Sequence, residues 1–350
     1  MKPQVLSAIV VALFLILSPC VYGAQFNFTP VLTVSEEYND NIFLTPDNEE
    51  EDFITRATLG GTLEVLGRTS GLELTYRPSY EWYDDNSDFD GWEHDLLGRT
   101  WYNFSANTSV ELRNAFVRTR GILDEGDFAA ATRDDPLVAP AIETDRLRGG
   151  LEEYYTNATN VRLDHQFGAS DSVYASFAYR ILRGVDLVVR PDDEDDYDIW
   201  EPAIGGTYWF AQFWGIETDL VYTHADYEER TDREDWYGRL RLNRRLTRHL
   251  DVYGQYEHFI IDFDEDPAAN ANDVDYDVYQ PTVGFNYQLD ENTRIDIGAG
   301  WYFQDLDTGE NDDGFVLNAL ADKVWPFRRG LVGVTLLSGK YWKPCGRPAV

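Results

Sequence analysis

Polar and apolar residues alternate along most of this chain, from about residue 26 to residue 343, in runs of about ten to fifteen residues. Alternation with a period of two is the pattern of a β-strand that has one apolar face. No helical periodicity of any length interrupts these runs. The chain is therefore predicted to be all-β, with antiparallel strands. In the run 71–83, one face carries Leu72, Leu74, Tyr76, Pro78, Tyr80 and Trp82, and the other carries Glu73, Thr75, Arg77, Ser79 and Glu81.

The segments that connect these runs alternate between short polar turns and longer acidic loops. An outer-membrane barrel has short turns on its periplasmic rim and longer loops on its outer rim, whereas a soluble sandwich has no reason to sort its loops in this way. The pattern therefore predicts an antiparallel transmembrane β-barrel, with about 16 or more strands when complete and its N-terminus in the periplasm. The short turns lie at residues 67–71, 105–109, 168–172, 210–214, 246–250, 289–293 and 326–330, and the longer loops at 39–52, 84–91, 121–145, 184–198, 225–235, 264–275 and 307–314.

The alternation also assigns the charged side chains to the interior of this barrel. A charge on the lipid face costs about 2 to 4 kcal/mol near the bilayer midplane, so the charged face must point inward. Two further runs show the same division. In 236–246, Trp236, Leu240 and Leu242 point outward and Tyr237, Arg239, Arg241, Asn243 and Arg245 inward; in 293–303, Ile295, Ile297, Ala299 and Trp301 oppose Arg294, Asp296, Gly298 and Gly300.

Composition agrees with this class. The chain is 15% aromatic and has a mean hydropathy of -0.43, which excludes a helical membrane protein and suits strands that are apolar on one face only. Abundant tryptophan and tyrosine are typical of the girdles at the two lipid interfaces of a barrel. A soluble all-β domain with aromatic core pairs is the alternative that the same composition leaves open.

Residues 1–24 are predicted to be a secretory signal peptide. An apolar stretch from Val5 to Leu17 follows Lys2, and the small-residue site at 21–23 matches a cleavage site near Gly23 or Ala24. The apolar stretch is too short to cross a bilayer as a helix. No linker divides the rest of the chain, so residues 25–350 are predicted to form one barrel.

The two cysteines are not expected to form a disulfide. Cys20 lies inside the signal peptide, and Pro19 occupies the position where a lipoprotein signal needs a small residue, so lipidation of Cys20 is not expected. Once the signal is removed, only Cys345 remains, and a single cysteine excludes an intrachain disulfide.

A stripe of opposite charges is the most distinctive chemistry that the pattern places on the inner wall. The arginines of 236–246 are flanked by acidic residues of the preceding and following strands. This ladder is interpreted either as a constriction whose fixed charges set selectivity or as an ion-paired wall that only satisfies its own charges. The candidate site residues are Glu217, Asp219, Arg239, Arg241, Arg245 and Glu257, with Gln255 beside them.

The acidic loops account for most of the net charge of -34. The run 192–196 and the region 264–277 offer carboxylates, which are hard ligands for divalent cations, but neither has the spacing and glycine of an EF-hand. Solvated, mutually repelling loops are the favoured interpretation, so no metal site and no cofactor is predicted, and nucleic acid is not an expected partner.

No catalytic constellation is visible. His94, His165, His224, His249 and His258 are the only histidines, and none lies in a metal-ligand spacing or a recognised nucleophile motif. The expectation is that the protein is not an enzyme.

The segment 34–44, Val-Ser-Glu-Glu-Tyr-Asn-Asp-Asn-Ile-Phe-Leu, is followed by Asp52-Phe53-Ile54-Thr55-Arg56 and by the Leu59-Gly60-Gly61 strand. This opening resembles that of outer-membrane β-barrel porins encoded near exopolysaccharide or exosortase-type gene clusters in Gram-negative bacteria. The resemblance is most specific over residues 33–83 and continues as strand rhythm to about residue 330.

The resemblance implies an outer-membrane location and a porin-like channel for polysaccharide export or solute passage, with no catalytic residues to transfer. It implies as partners the outer-membrane lipid with its lipopolysaccharide, the barrel assembly machinery and polysaccharide export components. The alternative is a non-conducting structural or adhesive surface barrel whose acidic loops bind glycans or cation bridges; a lumen blocked by large inward side chains would favour it.

The C-terminus departs from the pattern of this family. The chain ends Lys-Pro-Cys-Gly-Arg-Pro-Ala-Val, whereas such barrels end in a strand that finishes on an aromatic residue. The strand tally of about fifteen is odd, while bacterial single-chain barrels have even counts. A truncation or frameshift near Gly339 is the resulting hypothesis, and the downstream DNA decides it.

Overall fold

The computed structural model describes residues 24–43, 49–119, 153–184, 196–228, 231–264, 274–290, 292–307, 309, 311–327 and 330–340. The predicted signal peptide, apart from Ala24, and the last ten residues lie outside these ranges. Most of the described residues belong to strands. They are β1 (Gln25–Asn39), β2 (Asp52–Leu66), β3 (Ser70–Tyr83), β4 (Gly91–Ser105), β5 (Thr108–Thr119), β6 (Tyr154–Gln166), β7 (Ser172–Gly184), β8 (Tyr197–Ala211), β9 (Trp214–Tyr227), β10 (Arg233–Arg245), β11 (Leu250–Phe263), β12 (Tyr276–Asp290), β13 (Thr293–Leu306), β14 (Asn311–Phe327) and β15 (Gly330–Lys340), with a 3-10 turn at Ser87–Phe89.

The strands form one 15-stranded sheet in which each strand pairs with its neighbours in sequence. All the pairings are antiparallel, from β1 with β2 through to β14 with β15. The prediction of an all-β, antiparallel fold is confirmed. This up-and-down order is the one that closes into β-barrels. Among the described residues, β1 and β15 do not pair with each other, so the sheet is not closed there. No helix of the described residues is long and apolar enough to cross a membrane.

The connections sort by length in the way that the sequence predicts. All the tight turns, such as residues 67–69 and 246–249, lie at one end of the sheet, and the longer connections, such as 40–51 and 84–90, lie at the other. We name these ends the short-turn end and the long-loop end. The tight turns close with backbone hydrogen bonds, for example from Gly67 N to Ser70 O at 2.8 Å.

The two faces of the sheet differ as predicted. We name outer face the side that holds Tyr76, Leu240 and Trp301, which are all exposed, and inner face the side that holds Glu81 and Tyr237, which are buried. The face assignments for β3, β10 and β13 therefore agree with the sequence pattern. Alternation alone fixes them because the side-chain period of a strand is two and the ladders there are regular.

The outer face carries an aliphatic band between two aromatic bands. The band lies at mid-strand, because its members are the eighth residues of their strands, and all of them are exposed. Exposed tryptophans lie towards the long-loop end, where Phe53, Phe303 and Phe315 are also exposed, and further exposed phenylalanines lie towards the short-turn end. The aliphatic members are Leu32, Leu59, Ile204, Leu240 and Val283; the aromatic members include Trp82, Trp92, Trp236 and Trp301 at one end and Phe26, Phe28, Phe104 and Phe210 at the other.

Near the long-loop end, the inner face combines buried apolar clusters with buried charges such as Glu81, Arg233 and Asp235, and further down it is charged. Three buried clusters lie there, and in one of them the start of the first long loop folds inward, because Ile42 packs against Ile54 and Tyr83. These clusters lie on the inner face near the long-loop end, and we name them together the apolar collar. Its buried members are Ile42, Ile54 and Tyr83, then Tyr154, Leu182, Tyr197, Ile199, Ala225 and Tyr227, and finally Tyr237, Phe259, Ile261 and Val278.

Asp52 ties the first two long loops to the sheet. Its buried carboxylate accepts hydrogen bonds from the backbone N–H groups of Asp84 and Asp85, at 2.9 and 3.2 Å, and from both the backbone and the side-chain nitrogen of Asn86, at 3.1 and 2.9 Å. These bonds satisfy backbone donors where the chain leaves β3. The loop between β3 and β4 is thereby held against the base of the loop between β1 and β2.

Candidate functional site: the charged stripe of the inner face

The predicted stripe lies on the inner face of β9, β10 and β11. In the antiparallel register, Arg239 stands opposite Asp219 on β9 and Glu257 on β11. Arg241 stands opposite Glu217 and Gln255 in the same way. The sequence prediction of neighbouring positions is therefore correct for these residues. Their actual side-chain partners differ from the predicted ladder in several places.

Arg239 and Asp219 form the one direct ion pair between stripe residues in the described part of the chain. The guanidinium donates from Nε and Nη2 to Asp219 Oδ2, at 2.8 and 2.5 Å. The hydroxyl of Tyr174 donates to the other carboxylate oxygen at 2.5 Å. Arg162 lies over the ring of Tyr174, with Cζ 3.9 Å from the ring centre. A charge-assisted, two-contact pair of this kind holds both side chains in fixed positions.

Arg241 does not contact Glu217. Its guanidinium lies over the ring of Tyr253, with Cζ 3.5 Å from the ring centre, and Nη2 lies 3.8 Å from Asp296 Oδ2. The hydroxyl of Tyr253 donates to Asp296 at 3.0 Å, and Asn286 donates to the other oxygen at 3.1 Å. Asp296 therefore belongs to the same network as Arg241, although it lies three strands away on β13.

The two glutamates of the stripe bind neutral donors. Glu217 accepts a hydrogen bond from Asn243 Nδ2 at 2.7 Å. Glu257, which is buried, accepts from the hydroxyl of Tyr237 at 2.9 Å and from Gln280 Nε2 at 2.8 Å. Neutral donors on the same face thus take the oxygens of these glutamates, and the arginines opposite them contact other residues.

Arg245 lies apart from the rest of the stripe. It is the last residue of β10, at the short-turn end, and its side chain is largely exposed. Its Nε lies 3.5 Å from Asp251 Oδ1, and its guanidinium stacks over the ring of Trp209 at 4.3 Å. The structure therefore places Arg239, Arg241 and Glu257 together at mid-wall and leaves Arg245 near the rim.

The neutral and aromatic members of this network were not predicted from the sequence. Tyr174, Tyr253 and Gln280 lie on the same inner face in the alternation, but nothing in the sequence shows which inward residues meet across two or three strands. A search for inward tyrosines at the height of inward arginines would have found Tyr253. As built, the site is a wall of fixed charges and hydrogen bonds, and no histidine is among its residues; away from it, the Thr108 hydroxyl lies 2.9 Å from His165 Nδ1.

Four histidines lie on the outer face beside aromatic rings; one of them is His165, whose ring centre lies 6.5 Å from that of Phe167. His94 lies 6.1 Å from Tyr76, His224 lies 4.9 Å from Trp200, and His258 lies 4.5 Å from Tyr279 between ring centres. These positions are on the opposite side of the sheet from the charged stripe. Among the described residues, no group of three or more His, Cys, Asp or Glu side chains is placed to hold a metal ion.

No protein family matches this chain, and no curated protein matches its sequence. Several solved structures share its general architecture. OmpTdeltaL8, a loop deletion mutant of an outer membrane protein of Vibrio cholerae, is 11% identical, with 85% of this chain and 99% of that chain covered and a TM-score of 0.38. The TodX deltaS2S3 mutant, a monoaromatic hydrocarbon channel, is 12% identical, with 88% and 91% covered and a TM-score of 0.36. An anion-selective porin from Comamonas acidovorans is 14% identical, with 83% and 95% covered and a TM-score of 0.34.

Proposed function

We propose that this protein is an outer-membrane β-barrel that acts as a porin-like channel. The observation that carries the proposal is the aliphatic band of the outer face between its two aromatic bands. Exposed Leu59 and Val283 at mid-strand would form a large apolar patch in water, which soluble monomers rarely tolerate. In a bilayer the same band faces hydrocarbon, and the aromatic bands lie at the two interfaces.

The inner face supports a water-filled interior. Arginines, carboxylates and amides line it at mid-strand, where Arg239, Asp219 and Glu257 lie. Such side chains face water or one another in barrels and do not face lipid. The long acidic loops then lie outside the cell, where their charge keeps them solvated.

The finer proposal links this channel to export of an exopolysaccharide. It rests on the resemblance of residues 33–83 to porins encoded near exopolysaccharide gene clusters. Lipopolysaccharide around the outer face, the barrel assembly machinery and polysaccharide export components are the partners that go with it. The proposal includes no catalytic step, because the inner wall offers no acid–base pair beside a nucleophile among the described residues.

A second candidate function is a structural or adhesive surface barrel that conducts nothing. The apolar collar favours it, since Tyr197, Phe259 and Ile261 are large, inward and buried near the long-loop end. Hydrophobic constrictions of this kind exclude ions by dewetting. The collar therefore opposes the channel proposal at one height of the wall, and conductance separates the two candidates.

The test is fractionation followed by single-channel recording. The full chain is expressed with its signal, outer-membrane fractions are run on gels with and without boiling, and the purified protein is added to planar lipid bilayers. A heat-dependent shift in the outer-membrane fraction, with discrete conductance steps in the bilayer, is the expected result. A heat-dependent shift without conductance supports the structural candidate. Protein that stays out of the membrane fraction contradicts both.

A further inference from the structure

We infer that the lumen of this channel selects cations over anions, so that its solute is cationic or neutral. This inference rests on the proposed channel function. The acidic and basic side chains of the inner face are unequally paired. Each arginine of the stripe lies beside a carboxylate, whereas several carboxylates lie beside neutral donors only. The fixed charge that remains on the wall is therefore negative.

The stripe shows the mismatch most clearly. Asp219, Asp296 and Asp251 lie within 4 Å of Arg239, Arg241 and Arg245, respectively, and Asp296 is shared with Arg294 at 3.7 Å. With Glu217 and Glu257, these are five carboxylates against four arginines. Arg239, Arg241 and Arg245 are the only basic residues among the six of the predicted stripe. Among the described residues, Glu217 and Glu257 have neutral hydrogen-bond donors instead of a basic partner within 4 Å, and a neutral donor does not cancel the field of a carboxylate.

Asn243 and Glu217 illustrate how the chain achieves this. Asn243 lies two residues beyond Arg241 on the same face of β10, and its amide bridges the two side chains: it accepts from Arg241 Nε at 3.2 Å and donates to Glu217 at 2.7 Å. An amide at this position separates a cation from an anion that would otherwise pair across the strands. Glu217 is only partly buried, so its field reaches solvent on the inner side.

A second place on the wall repeats the arrangement with different residues. Glu64 on β2 and Glu73 on β3 are directly opposite each other in the register, on the inner face. Glu64 accepts a hydrogen bond from Asn27 Nδ2 at 2.8 Å. Like charges directly opposite each other destabilise a sheet. Arg99 on β4 stands opposite Glu73, but its guanidinium pairs with Glu111 at 2.7 Å. The two adjacent glutamates thus add negative potential towards the short-turn end.

The whole chain has the same sign. It contains 63 acidic residues against 29 lysines and arginines. When the entrance and the inner wall of a channel carry fixed charge of one sign, they concentrate ions of the opposite sign and exclude ions of the same sign. A narrow path with low-dielectric walls strengthens this selectivity. An anionic polymer would meet repulsion along the entire route. If the channel carries an exported polysaccharide, the polymer is therefore neutral or cationic.

The experiment inserts the folded full-length protein into planar bilayers and measures the reversal potential under a KCl gradient. The wild-type chain is expected to pass K⁺ in preference to Cl⁻, and the preference is expected to weaken as the salt approaches 1 M, where the screening length falls to about 3 Å. Glu217→Gln and Glu64→Gln are each expected to lower the permeability ratio of K⁺ to Cl⁻ by about twofold. Both substitutions keep an acceptor oxygen for the asparagine that donates to the glutamate.

Glu36→Gln is the matched control. Glu36 lies on β1 at a position of the outer face, opposite Thr55, so its neutralisation removes one charge without touching the inner wall, and the permeability ratio is expected to stay unchanged. Conductance with preference for Cl⁻, or equal effects of Glu36→Gln and Glu217→Gln, overturns the inference and leaves the channel in place. Absence of conductance overturns the channel proposal itself, and the inference with it.

Discussion

Replacing Leu59 with arginine tests whether the outer face meets lipid. Leu59 is the eighth residue of the 15-residue β2, and 67% of its surface is exposed. At the midplane of a bilayer, an arginine costs about 2 to 4 kcal/mol, which corresponds to about a 30- to 900-fold shift of the unfolding equilibrium. At an exposed position of a soluble protein the same change usually stays within about 0.5 kcal/mol.

Thr62→Arg is the control within the same strand. Thr62 lies three residues further on, on the inner face, where its hydroxyl lies 2.8 Å from that of Thr75. An arginine there loses one neutral hydrogen bond, worth about 1 kcal/mol, and gains the nearby charge of Glu64. We expect the free energy of unfolding to change by about 1 kcal/mol or less at Thr62.

The assay is equilibrium unfolding in urea of protein folded into lipid vesicles, followed by tryptophan fluorescence. The difference between the two variants is the informative quantity, since both add the same side chain to β2. If Leu59→Arg costs no more than Thr62→Arg, the outer face does not lie in hydrocarbon and the barrel interpretation of the sheet fails.

Three further predictions concern the wall and the loops. Arg239→Ala, which removes the guanidinium of a buried ion pair, is expected to lower the free energy of unfolding by about 3 to 5 kcal/mol. Arg77→Ala is the control and is expected to cost about 0 to 1 kcal/mol, because the side chains of the Arg77–Asp95 pair are 45% and 30% exposed. Similar losses for the two variants in urea titrations would contradict the burial argument. Gly300→Ala should destabilise by about 1 to 3 kcal/mol, because its Cβ would overlap a backbone carbonyl of β12, while Gly254→Ala, with open space around the new Cβ, should not. Asp52→Ala is expected to release the loop between β3 and β4, seen as faster proteolytic cleavage within residues 84–90 on intact cells; an unchanged cleavage rate would show that the carboxylate does not hold the loop.

The strand rhythm was predictable because two independent signals coincide in the sequence. The period-two alternation marks each strand, and the sorted connections mark which end of the sheet each turn occupies. Together they fix the face of Tyr76, Leu240 and Trp301 without any knowledge of packing. A β-bulge would have exchanged the faces, and the ladders around these residues are regular.

The partners of the charged stripe were not predictable, and the reason is physical. Register places Arg241 opposite Glu217, but an arginine side chain is long enough to reach other strands, and here it stacks on Tyr253 instead. Hydrogen-bond donors in diagonal positions on the neighbouring strand, such as Tyr237 on β10 for Glu257 on β11, compete with the residue directly opposite, which here is Arg239. Choosing among them depends on side-chain rotamers and on the twist of the sheet, which alternation does not encode.

In the described part of the chain, β1 and β15 are the two edge strands of the sheet, and they run in the same direction. β1 begins at the short-turn end, since Gln25 pairs with Leu66, and β15 begins there too, since Gly330 pairs with Phe327. If these edges met directly they would form a parallel seam with slanted hydrogen bonds, unlike any other pairing in the sheet. An antiparallel seam needs one additional strand that descends from the long-loop end between them. Neither edge can remain unpaired in a bilayer, because each unsatisfied backbone group in hydrocarbon costs several kcal/mol. Whether the seam is parallel or antiparallel therefore determines how the molecule finishes its insertion.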